Sequence, residues 1–286
     1  MIPVGTVIFV DGWNFKRNLQ EFAFISDKEQ RAFRLDEKHF HWSEFFKDMI
    51  VKVSNSTGIR HHLLRTYWHY AESITPFFVN DQMIEKALSD YQGIFPDLTK
   101  DTLITLAEEW HERERSNLVA ARERVYEQIQ RDVDFLEFRF VGQYKVNPCK
   151  IYQLSKGKDG KFFYQGTRET EKGVDIGIAV EMISRMKGYD AAVLVSGDAD
   201  FVPVVRYLKG EMKWVYQFSV AKGIPPRITY LSPWLKSYVD AFFSFDEEEL
   251  LGTYLDRHSG IPPAILNAID ERLGALREMK SSTATN

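Results

Sequence analysis

Cysteine is almost missing. Cys149 is the only one among 286 residues, so no intrachain disulfide can form and a cysteine-built zinc site is excluded. No apolar stretch approaches the ~20 residues that a bilayer-spanning helix needs, and the chain does not open on a basic segment followed by a signal-type apolar run. A reducing, cytoplasmic setting without membrane attachment is expected. Charge of one sign is scarce in excess: 41 acidic against 37 basic residues leave −4, too little for a solvating acidic tail and no global attraction to nucleic acid. Any nucleic-acid contact must be local. Glycine-rich phosphate cradles are missing too, with no GxxxxGK[ST] and no GxGxxG after the first strand. Internal repeats and low-complexity segments are absent.

What is present is a chain with 44% hydrophobic and 14% aromatic residues, enough for one substantial core and a smaller appended one. Strand and helix signals alternate along much of it. Residues 4–11 are rich in β-branched and aromatic side chains and run into Asp11-Gly12-Trp13-Asn14, a strand ending on an acid. A helix opens near Phe15. Ser26 to His41 loses periodicity and reads as an insertion or long loop. Trp42 to Val53 is helical with Ser43 as N-cap, and Leu63 to Tyr70 contains the next strand. From Pro76 to Val133 the pattern is mostly helical, with Leu103, Leu106, Trp110, Leu118, Ala121, Val125 and Ile129 on one stripe. Phe135 to Val141 reads as a strand, and Gly157 to Gly160 turns a hairpin between Ile151–Leu154 and Lys161–Tyr164. Pro262 to Met279 forms a terminal helix with Ile265, Ile269, Leu273 and Leu276 on one face, followed by a disordered tail from Ser281.

The densest stretch runs from Lys172 to Phe201. A helix over 174–187 shows one buried face through Val174, Ile176, Ile178, Ala179, Met182, Ile183 and Met186. Asp175 lies in its first turn. The strand Ala191–Val195 follows, then the turn Ser196-Gly197-Asp198-Ala199-Asp200. These signals predict a mostly parallel sheet of five or six strands with helices on both faces, and in such sheets ligands gather beyond the carboxyl ends of the strands. If the strands are neighbours, Asp11, Asp175, Asp198 and Asp200 converge on one crevice. Clustered carboxylates raise one another's pKa and need a compensating cation, for which Mg²⁺ or Mn²⁺ is the natural choice because hard ions take oxygen ligands. Such an ion activates water and stabilises charge developing on a phosphodiester. Each acid also has a plain structural reading as a cap or helix-start residue. Asn14, Lys172 and Trp13 are candidate substrate contacts: Asn14 orients the first acid or satisfies loop backbone, Lys172 meets a phosphate, and Trp13 stacks on a base or fills a rim position. Lys16 and Arg17 are further phosphate candidates. His39, His41, His61, His62 and His69 lack zinc-type pairing.

Three pieces, Val-Asp-Gly-Trp-Asn at 10–14, Glu-Lys-Gly-Val-Asp-Ile-Gly-Ile-Ala-Val-Glu-Met at 171–182 and Val-Ser-Gly-Asp-Ala-Asp-Phe-Val-Pro at 195–203, resemble the NYN domain family of the PIN-like nucleases. The resemblance implies a Rossmann-like three-layer α/β/α domain and metal-dependent cleavage of RNA by acids matching Asp11, Asp175, Asp198 and Asp200, with Asn14 matching the family's asparagine and Glu181 a supporting acid. It covers mainly residues 4–20, 60–75 and 135–245. The expected organisation is a nuclease domain over 1–250 with a helical insertion at about 76–133, and a C-terminal helical extension over 251–286. The expected partner is single-stranded RNA. A second copy of the chain is expected too, because the run over 103–133 and the terminal helix offer apolar surface for a two-fold dimer. The rival reading is an RNA-binding or assembly protein with a vestigial acidic site. The Gly-Asp-Ala-Asp turn is also similar to haloacid dehalogenase-type phosphatases, but those need Asp-x-Asp after the first strand, where this chain has Asp11-Gly12-Trp13.

Overall fold

The computed structural model describes residues 2–25 and 32–284. Its strands are β1 (Val4–Asp11), β2 (Ala23–Phe24), β3 (Phe33–Arg34), β4 (His61–Tyr70), β5 (Ser73–Ile74), β6 (Leu136–Phe140), β7 (Gln143–Lys156), β8 (Phe162–Lys172), β9 (Ala191–Val195), β10 (Trp214–Val220) and β11 (Ala241–Phe245). Its helices are α1 (Gly12–Gln20), α2 (Trp42–Thr57), α3 (Asp81–Tyr91), α4 (Lys100–Ala121), α5 (Glu127–Asp132), α6 (Val174–Ser184), α7 (Val202–Gly210), α8 (Pro233–Tyr238), α9 (Glu247–Glu249) and α10 (Pro263–Ala284). Two compact units share the chain. The larger takes Met1–Tyr70, Glu127–Arg139 and Asp175–Asn286, the smaller Ala71–Tyr126 and Phe140–Val174.

The larger unit is organised on a six-stranded sheet in the order β11-β10-β9-β1-β4-β6. β1 pairs in parallel with β9 on one side and β4 on the other, and β10 pairs in parallel with β9 and β11. Val7 to Val10 and Ala191 to Val195 are all buried, as strands covered on both faces must be. Helices flank the sheet in a three-layer α/β/α arrangement of the PIN-like kind, as expected. In α2, Trp42, Phe45 and Phe46 are buried. Trp42 meets Trp68 of β4 edge-to-face at 5.0 Å and 85°, and Phe15 of α1 packs 5.6 Å from the same Trp42. Such edge-to-face pairs stabilise beyond their area burial, and they fix α1 against the sheet.

Several expectations are corrected in this unit. Ser43 is not the N-cap of α2. His41 occupies that position without a side-chain bond, and Trp42 is held instead by its indole N–H donating to Glu37 O at 2.7 Å. Of the stretch expected to be loop, 26–31 lie outside the described residues, while β2 and β3 pair antiparallel and Asp36 and His39 close a capping box around a short 3₁₀ turn at Glu37–His39. In α6 the buried stripe is Val174, Ile178 and Met182, whereas Ile176 is 70% exposed and Ile183 37%. A helix that is apolar nearly all round does not reveal by periodicity which face is covered. The terminal helix runs to Ala284, past Met279 and into the expected tail, with the Ser281 and Ser282 hydroxyls donating back to Glu278 O and Met279 O. Its apolar face is not spare: Ile265, Ile269, Leu273 and Leu276 are buried, and Arg272 pairs with Glu247 at 2.8 Å.

In the smaller unit, α3 and α4 pack on a three-stranded sheet in the order β5-β7-β8. Its core contains Ile84, Leu98, Leu103, Ala107, Trp110, Val146, Cys149 and Tyr164. The expected helical insertion is therefore half of a mixed α+β unit. The hairpin turn was legible, but its strands extend to 14 and 11 residues. At Gly166 a Cβ would come within 2.7 Å of the Trp110 ring, so glycine lets that ring lie on the strand. Leu103 and Trp110 are thereby used inside the chain, as is the α10 face. The surplus apolar surface behind the expected dimer is largely consumed.

Candidate active site

Parallel pairing places Asp11 opposite His69 and Val10 opposite Val195, so the ends of β4, β1 and β9 lie side by side. The turn after β9 carries Asp198 and Asp200 beyond that edge, and α6 brings Asp175. One carboxylate oxygen from each of Asp175, Asp198 and Asp200 can be chosen so that all three lie within 4.8 Å of one another. Among the described residues no cation pairs with any of the three. Burial first, then the charges on Asp198 and Asp200, push the Asp175 carboxyl above its usual range.

Asp11 stands behind this trio and is 4% exposed. It caps α1 by accepting the backbone N–H of Asn14 at 3.0 Å, and the Ser196 hydroxyl donates to its other oxygen at 2.7 Å. Burial is the main cause that pushes its pKa up to about 7, with Asp175 and Asp198 adding to it and the two hydrogen bonds opposing. Asp198 likewise caps the short turn at Ala199–Phe201 through the backbone N–H of Asp200 at 2.9 Å. Asp198 thus caps a turn and belongs to the trio at once, whereas Asp11 caps α1 from outside the trio.

The framework residues explain why the turn is rigid. Ser196 Oγ accepts the backbone N–H of Asp198 at 3.1 Å while donating to Asp11, and Gln217 donates to Ser196 O at 2.8 Å. Asn14 Oδ1 accepts the Gly197 N–H at 3.0 Å and Asn18 Nδ2 at 3.3 Å. Its oxygen therefore holds α1 to the turn. Two glycines are obligatory: a Cβ at Gly12 would lie 2.3 Å from His69 O, and one at Gly197 only 1.7 Å from Tyr230 O. The sequence flagged Asn14 but not Ser196, although both belong to the motif pieces.

Other expected contacts part company. Lys16 pairs with the buried Glu37 at 3.1 Å. Lys172 ends β8 in the smaller unit. Trp13 and Arg17 line a cleft with Tyr230, and the Arg17 guanidinium lies 4.1 Å over the Tyr230 ring. Glu181 is not among the three clustered acids. It bonds His69 at 2.7 Å and pairs with Arg185 at 2.8 Å and Arg139 at 3.1 Å. Its burial is outweighed by His69 and Arg185, which keep the carboxyl below its usual range. His69, read from sequence as an ordinary histidine, is thus the link between the end of β4 and α6. Its signal was invisible because Glu181 is 112 residues away.

The sequence profile of the NYN domain matches residues 83–244, a span that includes Asp175, Asp198 and Asp200 and leaves Asp11 before it. No curated protein matches the chain. A crystal structure of a protein of unknown function from Vibrio parahaemolyticus is similar, with 16% identity and a TM-score of 0.41 over 86% of this chain and 94% of that one.

Proposed function

We propose, from a chain that belongs to the NYN domain family and has its nuclease-type fold, that the protein is a divalent-metal-dependent ribonuclease acting on single-stranded RNA. The observation that carries this reading is the unpaired trio Asp175, Asp198 and Asp200. The donor set fits a hard ion: oxygen ligands only, negative charge without a counter-ion among the described residues, and a place beyond the carboxyl ends of parallel strands. Asp175, Asp198 and Asp200 would hold Mg²⁺ or Mn²⁺, with Asp11 behind them. A bound ion of this kind supplies an activated water and neutralises charge on the phosphodiester.

The chain's own residues do the rest. Ser196 and Asn14 fix Asp11 and the Asp198 turn in one geometry, so little reorganisation is needed when charge develops. In the metal-free protein burial pushes the Asp11 carboxyl up to about 7, and a cation held by the neighbouring acids would favour its ionised form. Neither the single thiol nor the Ser196 hydroxyl competes as a nucleophile. Cys149 is buried in the smaller unit's core, and the Ser196 hydroxyl is engaged with Asp11.

The test is cleavage of end-labelled single-stranded RNA with Mn²⁺ or Mg²⁺. We expect products that vanish in chelator and fall by at least ~100-fold in Asp198→Asn and Asp175→Asn, a loss comparable to removing other charge-stabilising groups. Cleavage that survives both would overturn the reading. A protein that binds RNA without cutting it under any metal would favour the assembly-type alternative.

A further inference from the structure

Beside the acid cluster, on the larger unit, lies a cleft of about 340 Å³ lined by Trp13, Arg17, Glu21, Arg34 and Tyr230 among others. Its position follows from two features already described. α1 starts at Asp11, so Trp13 and Arg17, four residues apart, lie on one helix face. Arg17 is about 9 Å along the helix from the acid that caps it. From the other side, Tyr230 is brought in by the segment that leans on Gly197, where Ser232 N–H donates to Gly197 O at 2.7 Å. The turn that carries Asp198 therefore also places the aromatic wall of the cleft.

The chemistry of the lining is specific. The central carbon of the Arg17 guanidinium lies 4.1 Å from the Tyr230 ring centroid and the residue is exposed, so the pair offers a planar cation on an aromatic ring. Arg34, also exposed, stands on the same rim. Neither arginine is in an ion pair among the described residues, unlike Arg139, Arg185 and Arg272. The cleft's carboxylate, Glu21, accepts from the Thr229 hydroxyl at 3.4 Å. Unpaired nucleic-acid bases are recognised by stacking on aromatic rings and on arginine planes, with cations on the backbone. A volume of this size is at the small end of ligand clefts and suits a single nucleotide better than a duplex.

We propose that this cleft is a nucleobase subsite: one base of single-stranded RNA stacks on the Arg17–Tyr230 pair against Trp13, while Arg34 meets the adjoining phosphate. The subsite rests on RNA being the strand that reaches the acid cluster, and it adds what that reading lacks, a means of holding the nucleotide beside the scissile bond. It also resolves how a protein with net charge −4 attracts a polyanion: cation and aromatic are concentrated at one point rather than spread over the surface.

The experiment is fluorescence anisotropy with a short single-stranded RNA and an abasic strand of equal length and charge. The full chain is used in chelator, with melting curves as a check on folding. Arg17→Ala and Tyr230→Ala should each weaken RNA binding by roughly 5- to 150-fold, the range of one lost stacking contact. Both should have a much smaller effect on the abasic strand. Arg17→Lys keeps the charge but not the plane, and should recover only part of the loss. Unchanged affinity in both alanine variants, or equal losses on the two strands, would overturn the proposal, as would a wild-type chain that binds no RNA. Cleavage separates it from the nuclease reading. If Asp198→Asn still cuts RNA but Arg17→Ala binds poorly, the acid mechanism fails and the subsite stands; if Asp198→Asn is dead and Arg17→Ala binds normally, the reverse holds.

Discussion

A buried carboxyl that keeps its proton to about pH 7 ties the stability of the metal-free protein to pH. The unfolded chain releases that proton near 3.8, so between these values the folded state binds more protons, and the Asp11 contribution to stability falls as pH rises. Across the whole window the effect is about 4 kcal/mol. Glu247 works in the opposite sense, since Arg272 outweighs its burial and keeps it ionised to lower pH, but it does so equally in a variant at Asp11. In Asp11→Asn, whose amide can still accept from Asn14 N–H, the penalty disappears. Urea unfolding in chelator should therefore show the variant gaining on wild type between pH 5 and pH 8, and a constant difference would mean that Asp11 is not protonated in the native protein. At this scale the sequence located the acids and was silent about what holds them. Asp11, Asp175, Asp198 and Asp200 end strands or open a helix, which is readable from local pattern. Ser196 and His69 act on partners 185 and 112 residues away, and only the register of the sheet creates those pairs.

At the scale of elements, the turn after β9 is the tightest point of the molecule. Gly197 →Ala would drive a methyl into Tyr230 O, moving either the Asp198 turn or the segment bearing the cleft's tyrosine. We expect a loss of at least ~2 kcal/mol, in the range of overpacked or strained positions. Gly188→Ala, where the space around a new Cβ is open, should change stability by no more than ~1 kcal/mol. Denaturant midpoints of the two variants check this, and equal values would show that the turn yields. The elements themselves were legible where one periodicity ruled: β1 and β9 fall where pattern placed them. At α2 the start on Trp42 held but the cap did not, since no side chain caps it, and at α10 the end failed, the helix running on through Ser281 and Ser282 to Ala284. The buried stripe of α6 was misjudged because its sequence offers too few polar residues to mark the exposed side.

At the scale of the whole molecule, the chain leaves the larger unit after Tyr70, returns at Glu127, leaves again after Arg139 and returns at Asp175. Sequence alone located the helical part of this excursion and its hairpin but not the third strand of the sheet, because β5 joins β7 from 70 residues upstream, a pairing without a local signal. β1 is one of the two central strands of the larger sheet, lying between β4 and β9.

That placement has a consequence for synthesis. β1 is made first, yet β9 follows some 185 residues later, the separation between Asp11 and Ser196. At the ~5–20 residues per second of translation, β1 waits roughly 10–40 s with an apolar edge unpaired, and such an edge is a template for adventitious strand addition. A nascent chain stopped at Gly188 should therefore sediment as aggregate or remain bound to a holdase, whereas one extended past Phe245, with β9, β10 and β11 all available, should be recovered in the supernatant; equal recovery of both would mean that the half-built sheet protects itself. The strand that ends in Asp11 is thus also the one that most needs shelter while the ribosome is still at work.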